Sequence, residues 1–194
     1  MRADSGELER AGGNEPPPAR EERRLIREAQ RGSASALADL YTAHWRRAHR
    51  AAYLVVHDAA AAEDVAQDAF LAAVDALDRF DRRRPFGPWL HRIVINRAID
   101  WSRRESLRRR IVDEAGELEQ RAGGDARTGA DLGTDLMTAL AALPVEQRAI
   151  VVLRHLLEYT PGEIAAMLEL PRGTVNSRLR RALDRLGSAL EGGR

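Results

Sequence analysis

Every one of the 31 basic residues in this chain is arginine. A guanidinium keeps its charge at any accessible pH and offers a planar fork of donors that fits phosphate or carboxylate oxygens two at a time. Where arginines gather without acids, the chemistry on offer is the binding of a polyanion. They gather twice. Residues 79–110 hold eleven arginines against Asp81, Asp100 and Glu105, and residues 171–185 hold five against Asp184. Residues 58–78 carry six acids and no arginine, and residues 112–135 carry seven acids against Arg121 and Arg127, so a net charge of +1 conceals sharp segregation. Catalytic chemistry has little to stand on. No cysteine is present, which excludes disulfides, thiolate metal sites and cysteine nucleophiles. His44, His49 and His57 lack metal-ligand spacing, and no serine sits in a nucleophile elbow or triad context. No cofactor and no enzyme activity is expected.

The second arginine cluster lies in "RGTVNSRLRRALDRL" (172–186). At 3.6 residues per turn, Val175, Leu179, Ala182 and Leu186 share one face, and Asn176, Ser177, Arg180 and Arg181 share the opposite one. Ile164, Ala165 and Leu168 supply a matching stripe on a preceding helix. A tight connection near residues 169–172 separates the two, with Thr174 a candidate cap. This is the pattern of a helix-turn-helix, whose second helix enters a major groove. Asn176 and Arg181 are placed to reach base edges, Arg172 and Arg178 to hold phosphates. A solvated arginine face on an ordinary helical hairpin is the alternative reading.

The first cluster, "RFDRRRPFGPWLHRIVINRAIDWSRR" (79–104), interleaves arginines with Phe80, Phe86, Trp89 and Trp101. Aromatic rings stack on unpaired bases while arginines follow the backbone, which is what single-stranded DNA binding requires. The loop at 81–86, with Arg82, Arg83 and Arg84, is the expected strand contact, and Trp89 and Trp101 are expected in the core. Arg92, Asn96 and Arg103 share a helix face opposite Leu90, Val94, Ala98 and Trp101. Just upstream, Asp64, Asp68, Leu71, Asp75 and Asp78 form an acidic stripe around an exposed leucine, opposite Val65, Ala69, Ala73, Ala76 and Leu77. Such a stripe suits a basic protein surface or is simply a solvated face.

The elements that must position these groups are helices. Apolar residues recur at helical spacing near 22–31, 34–56, 60–79 and 86–108, and no convincing alternating strand occurs. Residues 113–134, "DEAGELEQRAGGDARTGADLGT", are acidic, glycine-rich and poor in large apolar groups, as in a flexible linker. Beyond them Leu136, Leu140 and Leu143 mark a helix, and Pro144 starts the next. The expected fold is all-α, with two small helical domains joined by a flexible acidic linker. The divisions are a disordered tail at 1–21 containing "GGNEPPPAR", a first domain at 22–110, a linker at 111–134 and a second domain at 135–191. The start has no apolar leader core, and no run approaches a membrane span, so a soluble cytoplasmic protein without membrane insertion is expected.

In order, "AEDVAQDAFL", "RF…PFGPWLHRIVINRAIDWSRR", a variable linker and "ALAALPVEQRAIVVLRHLLEYTPGEIAAMLELPRGTVNSRLRRALDRL" resemble the extracytoplasmic-function sigma factors of bacterial RNA polymerase. The resemblance covers residues 25–110 and 134–190. It implies that the first domain is sigma region 2 and the second is region 4. It further implies that Asp64, Gln67, Asp68 and Leu71, together with Asp75, dock on the clamp helices of core RNA polymerase. Phe80, Arg82, Arg83, Arg84 and Phe86, with the helix bearing Arg92, Asn96 and Arg103, would open and hold the minus-ten element of promoter DNA. The last helix, with Arg172, Thr174, Asn176, Ser177, Arg178, Arg180 and Arg181, would read the minus-thirty-five element. An anti-sigma factor is an implied partner. Two departures stand out. Glu169 occupies the turn where the family often has glycine, costing on the order of 1 kcal/mol if that turn needs a positive φ, and Asn176 stands where the family is often basic. A stand-alone helix-turn-helix repressor or activator with an N-terminal dimerisation domain is the rival reading. It would use neither the acidic stripe nor the aromatic and arginine loop. A protein-interaction adaptor explains still less of the pattern.

Overall fold

The computed structural model describes residues 17–114 and 133–192. Of the expected tail at 1–21 and linker at 111–134, residues 1–16 and 115–132 lie outside the described residues, while 19–21 belong to the first helix, 111–114 to a helix that begins at Phe86, and Thr134 to the helix Thr134–Ala141. Among those described there is no strand; the secondary structure is helical throughout. The first unit contains α1 (Ala19–Ala29), α2 (Ala34–Val56), α3 (Ala59–Asp75) and α4 (Phe86–Glu114), and the second contains α5 (Thr134–Ala141), α6 (Val145–Val151), α7 (Pro161–Leu168) and α8 (Arg172–Gly192). The long period at 60–79 resolves into α3 and a separate 3₁₀ turn, Leu77–Arg79.

Local chemistry sets the helix starts. The Ser33 hydroxyl accepts from the Ala36 amide to begin α2, and the Asp58 carboxylate accepts from the Ala61 amide at 2.8 Å to begin α3. Thr160 and Glu163 satisfy each other's backbone donors in a capping box at α7. α2, α3 and α4 pack through alanines: Ala48, Ala51, Ala52, Ala62, Ala66, Ala69 and Ala98 are almost wholly buried. Small side chains bring the axes close, and Ile26, Val55, Leu90, Val94 and Ile95 fill what remains. In the second unit Ile150, Leu153, Ile164, Val175 and Ala182 make the corresponding core. α6 runs into a π turn, Val152–Leu156, closed by the Leu157 amide donating to the Val152 carbonyl at 3.1 Å.

The two units touch. Across their boundary the His91 ring nitrogen Nδ1 and the Tyr159 hydroxyl form a 2.7 Å hydrogen bond. Arg103 donates to Glu146 at 2.9 Å, Arg92 pairs with Glu169, and Arg47 donates to the Leu156 carbonyl at 3.5 Å.

Candidate nucleic-acid interface

The loop between the 3₁₀ turn and α4 carries Arg82, Arg83 and Arg84, all exposed. Its backbone is held by an Asp81 turn: the Asp81 carboxylate accepts from the Arg83 amide at 3.0 Å, and the Arg84 amide donates to the Asp81 carbonyl at 2.9 Å. Both ends are then tied to α1. Gln30 Nε2 donates to the carbonyls of Leu77 at 2.8 Å and Phe80 at 3.2 Å, and the Phe86 amide donates to Glu22 Oε2 at 3.2 Å. Glu22 is buried, with His44 Nε2 3.1 Å from its other oxygen. Burial alone would raise its carboxyl, but the His44 contact, the Phe86 amide and the charge of Arg23 outweigh burial and hold it below the ordinary value. Sequence reasoning missed Glu22 and Gln30, because periodicity places residues on a helix face and cannot show which loop that face will meet.

Phe80 and Phe86 need correction as strand contacts. They are 7% and 3% exposed, in a cluster with Trp89 whose ring lies 4.6 Å from that of Phe80 and 5.5 Å from that of Phe86. Rings so placed anchor the loop from beneath; they cannot stack on a base without opening the core. Trp89 and Trp101 are half-buried against the core. On α4, Arg92, Asn96 and Arg103 do share a face, with Leu90, Val94 and Ala98 buried opposite. Arg92 and Arg103 are already engaged by acids of the second unit.

On α8, Val175, Ala182 and Leu186 are buried, while Arg172, Asn176, Arg180 and Arg181 are exposed and Thr174, Ser177 and Arg178 half-buried. The partner stripe on α7 is Ile164 and Met167, with Ala165 and Leu168 only half-buried. Thr174 is not a cap. α8 begins at Arg172, and the Thr174 and Val175 amides donate to the Pro171 carbonyl at 2.9 and 3.2 Å, which places Thr174 inside the first turn. The intervening turn closes at Glu169, in the left-handed region with φ 55° and ψ 42°, and the Leu170 amide donates to the Ala165 carbonyl at 3.0 Å. Arg181 lies back along its helix, donating to the Ser177 carbonyl at 3.2 Å and hydroxyl at 3.3 Å.

On α3, Asp64, Gln67, Asp68, Leu71 and Asp75 are all exposed, and Leu71 shows 63% of its surface. Beside them runs an apolar groove of about 370 Å³, walled on one side by Gln67, Leu71 and Val74 and on the other by Leu37 and Tyr41 of α2. Tyr41 stacks on Trp45, with ring centroids 4.9 Å apart. Nothing in the α2 sequence singled Tyr41 out; its exposure follows from the packing of α2 against α3.

The order of these surfaces along the chain matches known proteins. Residues 40–108 match the family described as Sigma-70 region 2, and residues 134–186 match Sigma-70, region 4. The ECF RNA polymerase sigma factor SigM of Mycobacterium tuberculosis is 36% identical over 82% of this chain and 79% of its own length. The chain belongs to the extracytoplasmic-function sigma factors of bacterial RNA polymerase. The sigma factor SigW of Bacillus subtilis is 28% identical over 87% of this chain and 96% of its own length. Among solved structures, CnrH in complex with the cytosolic domain of CnrY superposes with a TM-score of 0.67 at 28% identity, covering 89% of this chain and 98% of that one. The sigma factor RpoE of Bartonella quintana, in complex with the anti-sigma factor NepR, gives 0.60 at 28% identity over 76% of this chain and 91% of that one. Region 2 of this sigma factor thus takes in α2 from residue 40, α3 and α4 to residue 108, region 4 takes in α5 to α8 as far as residue 186, and its role is promoter recognition and transcription initiation. Among the described residues no helix is long and apolar enough to cross a membrane.

Proposed function

We propose that this sigma factor divides its work among three surfaces. The α3 stripe, with Asp64, Gln67, Asp68, Leu71 and Asp75, docks on a basic surface of core polymerase, and its apolar groove receives a side chain from that partner. The arginine loop and the α4 face hold the opened minus-ten strand. α8 reads the minus-thirty-five element in the major groove, with Asn176 and Arg181 toward the bases and Arg172 and Arg178 toward phosphates. The chain catalyses nothing: strand opening comes from contacts that only unpaired DNA can make. Its place is then the cytoplasm, where polymerase and promoter are. The domain limits read from the sequence, 22–110 and 135–191 with a linker at 111–134, widen to 19–114 and 134–192 if each domain keeps its whole terminal helices.

The observation that carries this reading is the loop of Arg82, Arg83 and Arg84, held rigidly at both ends by α1 and exposed beside α4. A stand-alone repressor would have no use for it. The likeness to two sigma factors solved with bound partners, one of them an anti-sigma factor, supports an inhibitor acting on this chain too. Run-off transcription with core polymerase on a promoter library tests the whole. Discrete products that vanish without the chain and share two spaced sequence elements are expected. Tight binding to duplex DNA without polymerase, and no transcription with it, would overturn the reading.

A further inference from the structure

We propose that Arg23 and Arg27 of α1 join Arg82 and Arg83 of the loop in a phosphate cradle for the unpaired DNA strand beside the minus-ten element. The inference rests on the reading of region 2 as the strand-opening unit and extends it to a helix to which that reading gave no DNA contact. The four side chains line one concavity of about 380 Å³, with no other of the described residues in its wall. All four are exposed.

The acids next to these arginines in sequence, Glu21, Glu22, Glu28 and Asp81, have other partners. Glu21 and Glu28 are taken by Arg24. Glu22 lies near Arg23 in charge but spends its oxygens on the Phe86 amide and His44. The Asp81 carboxylate is spent on the Arg83 backbone amide. Among the described residues, none of the four guanidiniums pairs with a carboxylate. Glu105, by contrast, pairs with both Arg108 and Arg109. Like charges one turn apart on a helix repel, and here two more face them from the loop. An anion held among them would relieve that repulsion.

The cradle is also built in advance. Gln30 and Glu22 fix both ends of the loop to α1, so the two arginine pairs hold their relation without a ligand. Arg23 and Arg27 stand about 6 Å apart along the axis, which makes two sites in line and not one point. A chain of phosphates fits that; a single small anion would fill only one end. The loop that carries Arg82 and Arg83 continues through Arg84 into α4, so the same backbone passes from the cradle to the α4 face.

The experiment uses holoenzyme assembled from core polymerase and the full chain, either wild type, R23A/R27A or R23K/R27K. Its probes are a forked promoter DNA with an unpaired minus-ten tail and the fully paired duplex of the same length. Affinities are measured across salt concentrations. Losing two single-strand phosphate contacts should lower the salt slope on the fork by about 1.4 and weaken fork binding roughly ten-fold. Duplex binding, core association and helical content should not change, and the lysine variant should keep most of the slope because it keeps the charge. An unchanged slope for R23A/R27A on the fork overturns the cradle, and so does an equal loss on duplex and fork. Pyrophosphate at fixed ionic strength that displaces the fork from wild type, and not from R23A/R27A, would reveal a small-anion site and overturn the strand assignment. If wild-type holoenzyme shows no preference for the fork, the region 2 reading itself fails and takes the cradle with it, an outcome visible without any variant.

Discussion

Glu169 carries a cost that can be measured. Its φ of 55° places an L side chain where glycine is at ease, and its carboxylate offsets this by pairing with Arg92. The pair is exposed, so it contributes less than about 1 kcal/mol. In an Arg92→Ala background, where the pair is gone, Glu169→Gly should stabilise the chain by about 0.5–1 kcal/mol in urea unfolding. Destabilisation there would mean the turn does not hold Glu169 under strain. The arginines of α8 differ residue by residue in the same way. Arg181 rests on Ser177 through bonds to its own helix, and the proposed base contact would exchange them. Arg178 is half-buried near Glu146, whose carboxyl burial would raise but Arg103, and to a smaller extent Arg178, hold low. Arg181→Ala should cost about 1–3 kcal/mol on the preferred minus-thirty-five element and change the preferred base at one position. Arg178→Ala should weaken all sequences alike and reduce the salt slope by about one. A randomised minus-thirty-five library bound at several salt concentrations separates the two, and an unaltered preference profile for Arg181→Ala would remove it from base readout.

At the scale of elements, α3 shows how one helix serves two needs. Its Val65, Ala66, Ala69 and Ala73 are buried against α2 and α4, which frees the opposite face to carry Asp64, Gln67, Asp68 and Asp75 around Leu71 and Val74. A face so arranged can be changed without unfolding the bundle. The triple change of Asp64 and Asp68 to Arg and Leu71 to Ala should therefore abolish association with core polymerase while circular dichroism stays the same. Because α2 supplies the far wall of the groove, Tyr41→Ala should also weaken core association, by about ten-fold if its ring is an anchor. Unchanged co-elution of the triple variant with core polymerase would remove α3 from the interface; unchanged affinity for Tyr41→Ala alone would confine the interface to α3.

For the whole molecule, the contact between the two regions and the buried histidines combine. Arg92 and Arg103 reach acids of region 4, so on the proposed reading minus-ten DNA displaces Glu169 and Glu146. Exposed pairs of this kind are weak, and phosphates can replace them. His91, 4% exposed beneath Tyr159, is the stronger tie. Burial, and then the charges of His44 and Arg47, push its pKa down to about 3. His57 is pushed down to about 4, by burial and then by Arg148. In the unfolded chain both titrate near 6.5. Below that pH the unfolded chain binds protons that the folded chain refuses, so stability is full above about pH 6.5 and falls as pH drops toward 3–4. Glu22, depressed in the folded state, adds loss in the same direction as pH falls through its folded value. Urea unfolding should show stability declining from pH 6.5 to 4 by about 1 kcal/mol or more per unit, with His91→Gln flattening the slope. A flat profile for the wild type would show that these histidines are hydrated in the folded chain.

The helices, the two-unit plan, the acidic stripe, the arginine face of α8 and the family were legible in the residues, because period, charge and motif order are local properties that need no partner to be seen. The boundaries of α2 needed no correction, since Ser33 caps its start and no internal breaker interrupts it. What the chain order could not reveal is which distant groups would meet. Phe80 and Phe86 read as stacking platforms because aromatics among arginines look alike whether they face DNA or a core; only their packing with Trp89 of α4 and His44 of α2 buried them. Thr174 read as a cap because its side chain suits one, and only the backbone path from Glu169 through Pro171 put it inside the helix. Tyr41 became the wall of a groove, Glu22 and Gln30 the ties of a loop, and Arg23 and Arg27 half of a cradle through contacts between residues tens of positions apart. Those contacts arise from the shape complementarity of buried alanine-rich surfaces, and that is a property of the assembled bundle and not of any one helix.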